Sequence, residues 1–257
     1  MDYFQQQTRA LAKAAYRLIA SIPPLPAAIT RFNQLRYRHR PVRRLEIGPG
    51  SRRIPGFETL NIVPGPGVDY VADAARRLPF PDGTFDLIYA SHILEHIPWY
   101  QTLATLREWT RTLKPGGALE VWVPDGLKIC ETLVRFEREG INEIERDGWY
   151  RFNPEQDPCK WAAGRLYTYG DGSGRLDHPN WHRSLFTPRY LHLLLQRAGL
   201  IEIRPLSRAE VRGADHGWIN LGYRGVRPPA GRRAAAGAAA AVGPTADARA
   251  SELAGIR

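Results

Sequence analysis

Leu45-Glu46-Ile47-Gly48-Pro49-Gly50 decides how the chain is read: a short apolar run with one acid, then two glycines around a proline. A buried strand ending in such a turn can bring its backbone against a ligand, because glycine carries no Cβ. Ser51-Arg52-Arg53-Ile54-Pro55-Gly56 then leads at once into a second strand-like run, Phe57 to Ile62. That leaves no room for the long helix that follows the glycine turn of a dinucleotide-binding unit. Arg53 also stands where that fingerprint has its third glycine, so a nucleotide-dependent oxidoreductase is disfavoured.

Outward from this turn, the pattern alternates as a doubly wound α/β sheet requires. Strands are predicted over Arg44–Ile47, Thr59–Ile62, Tyr70–Ala72, Phe85–Ala90, Ala118–Val123, Leu200–Pro205 and Trp218–Tyr223, and helices near Trp99–Leu113 and Pro188–Ala198. Thr187-Pro188 reads as a cap followed by proline at the first helical position, and Gly199 ends that helix. The last two strands, joined only by Leu206 to Gly217, read as an antiparallel hairpin at the end of the sheet. Between them and the fifth strand lies a long excursion: a charged, helix-like stretch from Leu127 to Arg146, then an aromatic, glycine-rich loop from Trp149 to Gly174. Loops of this length in compact domains are usually functional, so residues 126–182 are expected to act as a lid and to read the acceptor.

Two further motifs follow the glycine turn. They are Phe85-Asp86-Leu87-Ile88-Tyr89-Ala90-Ser91-His92-Ile93-Leu94-Glu95-His96 and Leu113-Lys114-Pro115-Gly116-Gly117-Ala118-Leu119-Glu120-Val121-Trp122-Val123-Pro124-Asp125. From Leu45 to Asp125 the chain resembles class I S-adenosylmethionine-dependent methyltransferases, in particular type 11-like bacterial enzymes of polysaccharide and secondary-metabolite pathways; from Arg183 to Gly222 the resemblance is weaker. It implies a Rossmann-like fold: a seven-stranded, mostly parallel sheet with an antiparallel last strand and helices on both faces. It also implies S-adenosylmethionine as cofactor. The domain is expected over residues 45–225, after a basic helical extension at 1–44 and before an Ala/Gly/Pro/Arg tail at 226–257.

By that resemblance the cofactor's methionine portion lies against Gly48, Pro49 and Gly50, with Glu46 below the turn to position its ammonium group. Asn61, followed by Ile62, stands where the family has an acid that accepts hydrogen bonds from both ribose hydroxyls. An amide has one acceptor oxygen and no charge, which bears on affinity. Asp73 and Ala74 match the adenine-edge position, Asp73 being equally suited to cap the following turn. Ser91 and His92 would border the sulfonium. Methyl transfer needs in-line geometry and, for a hydroxyl acceptor, a base, for which His92, His96 and His182 are candidates. Asp177, His178, His182 and Arg183 are the candidate acceptor contacts. Pro179 prevents His178 and His182 from sharing a helical face, so no metal site is expected.

The formal charge of +10 raises the question of nucleic acid, but its distribution argues against it. Residues 1–44 carry nine Arg or Lys against one acid, residues 224–257 carry six Arg against two acids, and the body between is slightly acidic. Cys130 and Cys159 have no metal-ligand spacing, and a reducing cytoplasm fits them. No apolar run reaches the roughly 18 residues a bilayer span needs. Residues 3–20 have helical apolar spacing with Arg9, Lys13 and Arg17 interleaved, so residues 1–22 suit either packing on the domain or peripheral contact with an anionic membrane. The function expected is methylation of an oxygen, less often a nitrogen, of a small polar acceptor such as a saccharide or biosynthetic intermediate. A degenerate, partner-binding methyltransferase fold is the alternative, carried by Asn61. Oligomeric state is not legible. Removing residues 228–257 is expected to leave the melting temperature and cofactor affinity nearly unchanged, because that tail is poor in apolar surface. Thermal melts and calorimetry of the truncated chain check this, and a large fall in melting temperature would show that the tail docks.

Overall fold

The computed structural model describes residues 22–50, 53–144, 153–167 and 178–231. The predicted N-terminal helix over 3–20, Asp177 and nearly all of the tail lie outside the described residues. Seven strands form one sheet: β1 (Arg44–Ile47), β2 (Glu58–Asn61), β3 (Tyr70–Val71), β4 (Phe85–Ser91), β5 (Leu113–Pro124), β6 (Ile201–Leu206) and β7 (Asn220–Val226). Their order is β3-β2-β1-β4-β5-β7-β6, with β7 antiparallel to both neighbours and the other pairs parallel. This is the predicted fold, and the final antiparallel hairpin forms with β7 inside and β6 at the edge of the sheet.

Register fixes where the strands end. Ile47 pairs with Leu60 on one side and with Ala90 on the other. The carboxyl ends of β1, β2 and β4 are therefore level, and Gly48, Asn61 and Ser91 emerge at one edge of the sheet. Alternation along the strands divides the core. Leu45, Ile47, Ile88, Ala90, Leu119, Val121 and Val123 belong to the larger cluster, while Leu87, Tyr89, Ala118 and Trp122 belong to a smaller one with Ile54 and Phe57. Phe85 and Ile88 join the same cluster at an odd spacing because the β4–β5 register shifts between Phe85 and Leu87. That bulge absorbs Lys114 to Gly117, so β5 begins five residues earlier than the sequence suggests. Gly117 is required there: a Cβ would lie 2.9 Å from the Lys114 carbonyl oxygen and 3.0 Å from that of Phe85.

Helices α1 (Leu25–Tyr37), α2 (Thr102–Thr112) and α5 (Pro188–Arg197) supply the larger core with Tyr37, Leu106, Trp109, Leu191, Leu194 and Leu195. Thr187 caps α5 as expected, accepting from the Tyr190 amide at 3.3 Å. Asp125 does the same for α3 (Gly126–Glu139), accepting from Leu127 and Lys128. Two helices differ from the sequence reading. Within the expected helical extension, the segment after Pro23-Pro24 forms α1, a helix the sequence reading did not place, and its polar side chains dock it: Asn33 Nδ2 donates to the Asp69 carbonyl and Thr30 Oγ1 accepts from Val71. The aromatic, glycine-rich loop contains α4 (Pro158–Tyr167), since Trp161 and Ala162 find a buried surface against Ile129, Ile144 and Ile219. Only this tertiary contact separates α4 from a loop. The two cysteines are free and exposed on α3 and α4, and among the described residues no helix is long and apolar enough to cross a membrane.

Gly48 is held at φ +71°, and a Cβ there would fall 1.9 Å from Ile93 Cδ1. Gly48→Ala is expected to cost on the order of 2 to 5 kcal/mol, combining the left-handed penalty with overpacking. Gly50→Ala, whose Cβ would meet nothing within 4 Å, should cost far less. Denaturant titrations of the two variants check this contrast.

Candidate active site

A cleft of about 820 Å³ lies across the carboxyl edge of β1, β2 and β4. Gly48 and Pro49 form part of one wall, Asn61, Ile62, Asp73 and Ala74 continue it, and His92, His96, His178 and Arg183 stand at the other side. Most of the residues singled out in the sequence are therefore brought together by the level strand ends. A second cleft of similar size, about 900 Å³, lies at the opposite edge among Arg31, Arg38, Arg40, Arg77 and Lys114. It borders the amino ends of the strands, away from the crevice in which open α/β sheets bind ligands.

Four of the expected contacts sit elsewhere, His182 among them, which lines a small separate pocket with Arg165, Ser184 and Phe186. Glu46 faces away from the cleft: Leu45 and Ile47 point into the larger core, so the intervening side chain turns to the other face, where its carboxylate accepts from the Ile54 amide at 3.2 Å. Burial holds its pKa above the usual carboxylate value, against the effects of that hydrogen bond and of Arg53. Gly50 and Ser91 are likewise not among the cleft's lining residues. Asn61 does face the cleft, and its Oδ1 accepts from the Val63 amide at 3.3 Å. Asp73 lines the cleft and also caps its turn, accepting from Ala75 at 2.9 Å. Asp69, the other acid near β2, is committed to structure: its carboxylate takes hydrogen bonds from Thr59 N, Tyr37 Oη and Arg53.

At the far wall a short 3-10 turn, Leu94–His96, follows His92, which has a left-handed backbone at φ 54°. A non-glycine residue in that region is strained and is retained where the surroundings over-determine it. Here the surroundings are specific. His92 Nε2 lies 2.9 Å from Asn220 Oδ1, Nδ1 lies 3.1 Å from Glu95 Oε1, and the ring stacks on His216 with centroids 3.8 Å apart. His182 reaches the same place because its segment is sewn to the turn: the amides of Arg183 and Ser184 both donate to the Glu95 carbonyl, at 2.7 and 3.2 Å. The rings of His96 and His182 then meet edge to face at 4.9 Å.

Glu95, His96 and His182 each offer a donor atom within 4.8 Å of the others, a grouping that joins two distant segments and does not use His178. Glu95 and His216 were missed as site residues. Leu94-Glu95-His96 was visible, but the role of Glu95 depends on what folds over it; His216 carried no local signal at all.

The strand order is that of an open, Rossmann-like α/β sheet with an antiparallel last strand, the fold class expected from the sequence. Residues 45–121 match the model of a family described as a methyltransferase domain. The chain is similar to the demethylmenaquinone methyltransferases of Lysinibacillus sphaericus, 39% identical over 22% of this chain and 23% of that protein, and of Anoxybacillus flavithermus, 36% identical over 28% and 27%. The chain thus spans about a quarter of the length of the curated relatives it matches. Among solved structures, the 1,6-didemethyltoxoflavin-N1-methyltransferase of Burkholderia thailandensis is similar at a TM-score of 0.42, 14% identity and 87% coverage of each chain.

Although His216 as a whole is exposed, desolvation of its ring, with His92 as a neighbouring like charge, lowers its pKa from 6.5 to about 4. The unfolded chain therefore takes up this proton first as pH falls, so stability present above pH 6.5 is lost progressively down to about pH 4. His216→Phe keeps a ring on His92 but removes the proton. It should flatten the acid side of a melting-temperature profile, and an unchanged slope would show that His216 does not titrate in this way.

Proposed function

We propose that the chain is an S-adenosylmethionine-dependent methyltransferase acting on an oxygen, less often a nitrogen, of a small polar acceptor. The observation that carries this reading is the single cleft in which the glycine turn, Asn61, and Asp73–Ala74 stand in sequence along one side and a histidine-rich wall faces them. When bound, the cofactor supplies an electrophilic methyl group on a sulfonium. The chain's own contribution is positional. Gly48 brings backbone to the methionine end, Asn61 offers an amide to the ribose, and the Asp73 carboxylate with the neighbouring backbone suits the adenine edge. His92 and His96 border the space left for the acceptor, where an imidazole can take a hydroxyl proton as the nucleophile is used. Tyr100 and Arg183 extend that end of the cleft and favour an acceptor with polar or anionic groups, a saccharide or biosynthetic intermediate among them. The slightly acidic body does not favour nucleic acid.

Asn61 is also what a degenerate, partner-binding member would carry, and one substitution separates the readings. Asn61→Asp restores a charged acceptor and should tighten S-adenosylhomocysteine binding by roughly 1 kcal/mol, about fivefold, the difference between neutral and charge-assisted hydrogen bonds. Calorimetry on the wild type and the variant measures it. Absence of binding by either at millimolar ligand would overturn the methyltransferase reading.

A further inference from the structure

The most unusual charge in the described structure is that of Glu95. Its side chain is buried, the residue being 1% exposed, and neither carboxylate oxygen has a hydrogen-bond partner. His92 Nδ1 lies 3.1 Å from Oε1. Three other buried acids of this fold are fully engaged: Glu58 by Arg43 and Tyr70, Glu120 by Arg212 and Arg224, and Asp69 by Arg53 and Thr59. A buried carboxylate without such partners is costly unless something else compensates it.

The two imidazoles beside it are arranged to do so. His182 Nδ1 lies 3.0 Å from the Arg165 carbonyl and His96 Nδ1 lies 3.4 Å from that of Trp181. A carbonyl only accepts, so in the neutral ring Nδ1 carries the hydrogen and Nε2 keeps its lone pair. Orientation of a histidine through a backbone carbonyl on its other nitrogen is the usual outer-shell support of a metal ligand. With Glu95, the donor atoms lie within 4.8 Å of one another.

We propose that Glu95, His96 and His182 form a binding site for one divalent first-row transition metal, zinc or a neighbour of similar ligand preference. Two imidazoles and one carboxylate suit such ions and not magnesium or calcium, which take oxygen ligands. Bonds of about 2.0–2.2 Å in a tetrahedral shell place donors roughly 3.4 Å apart, so binding draws the three side chains inward. Three protein ligands leave a coordination position open. His96 lines the cleft, so that position faces the acceptor end, and an acceptor bearing oxygen donors would be held there. This last step rests on the methyltransferase reading; the metal site itself does not.

The test uses the full chain stripped with a chelator and titrated with Co²⁺. The expected result is one ion per chain with visible d–d absorption, displaced stoichiometrically by Zn²⁺. His182→Ala and Glu95→Gln should each weaken Co²⁺ binding at least tenfold, as should His96→Asn, which changes a half-buried side chain and guards against misfolding of the other two. Calorimetry with S-adenosylhomocysteine is run on every variant. Metal binding without nucleoside binding would sink the cofactor reading and leave this site standing. A wild type that gives no d–d spectrum at millimolar Co²⁺, or binding that survives all three substitutions, would overturn the metal site and assign Glu95 to charge balance with His92.

Discussion

Gly48 and Ile93 share one space, and much of the site follows from that. The glycine leaves β1 with a left-handed backbone, and the volume a side chain would fill is occupied by Ile93. Ile93 belongs to the segment that leaves β4 and runs directly into Glu95 and His96. The turn that would receive a cofactor and the segment that carries the histidines are thus packed side by side. Because both segments are rooted in adjacent parallel strands with level ends, neither can move without disturbing the centre of the sheet.

Buried charge divides the molecule into two regimes. Along the sheet faces, Glu58, Glu120 and Asp69 are saturated by arginines and hydroxyls, which makes them structural ties between neighbouring segments. Tyr70, hydrogen-bonded to Glu58 and buried, has its phenol pKa raised, in keeping with that structural role. At the carboxyl edge the pattern reverses. Glu95 is paired with no arginine among the described residues, and the imidazoles of His92, His96 and His182 surround it instead. Polar groups left incompletely paired in a crevice at the strand ends are what a ligand site requires, since a guest can then supply the missing contacts.

The insertion between β5 and α5 has a packing role as well as a position over the cleft. Trp161 of α4 stacks on Trp218 at 6.0 Å, just before β7, and Ile129, Ile144, Ala162 and Ile219 form a small core of their own. His182 is delivered from the end of this unit, its amide donating to the Tyr167 carbonyl and its ring to that of Arg165. His182 is thus positioned through a separate apolar cluster.

The sequence by itself determined the sheet, because strand periodicity, the Gly48 turn, the Thr187-Pro188 cap and the closing hairpin are local signals carried by neighbouring residues. It also determined the cleft's first wall, since Gly48, Asn61 and Asp73 each follow a strand whose end is visible in the pattern. The tertiary structure alone decided that Glu46 turns away from the cleft, that the 158–167 segment is helical, and that Glu95, His96 and His182 converge. The physical reason is the same in each case. Strand parity relative to a core, burial of a weakly amphipathic helix, and the meeting of donors from distant segments are properties of what packs opposite a residue, and no window along the chain contains that partner.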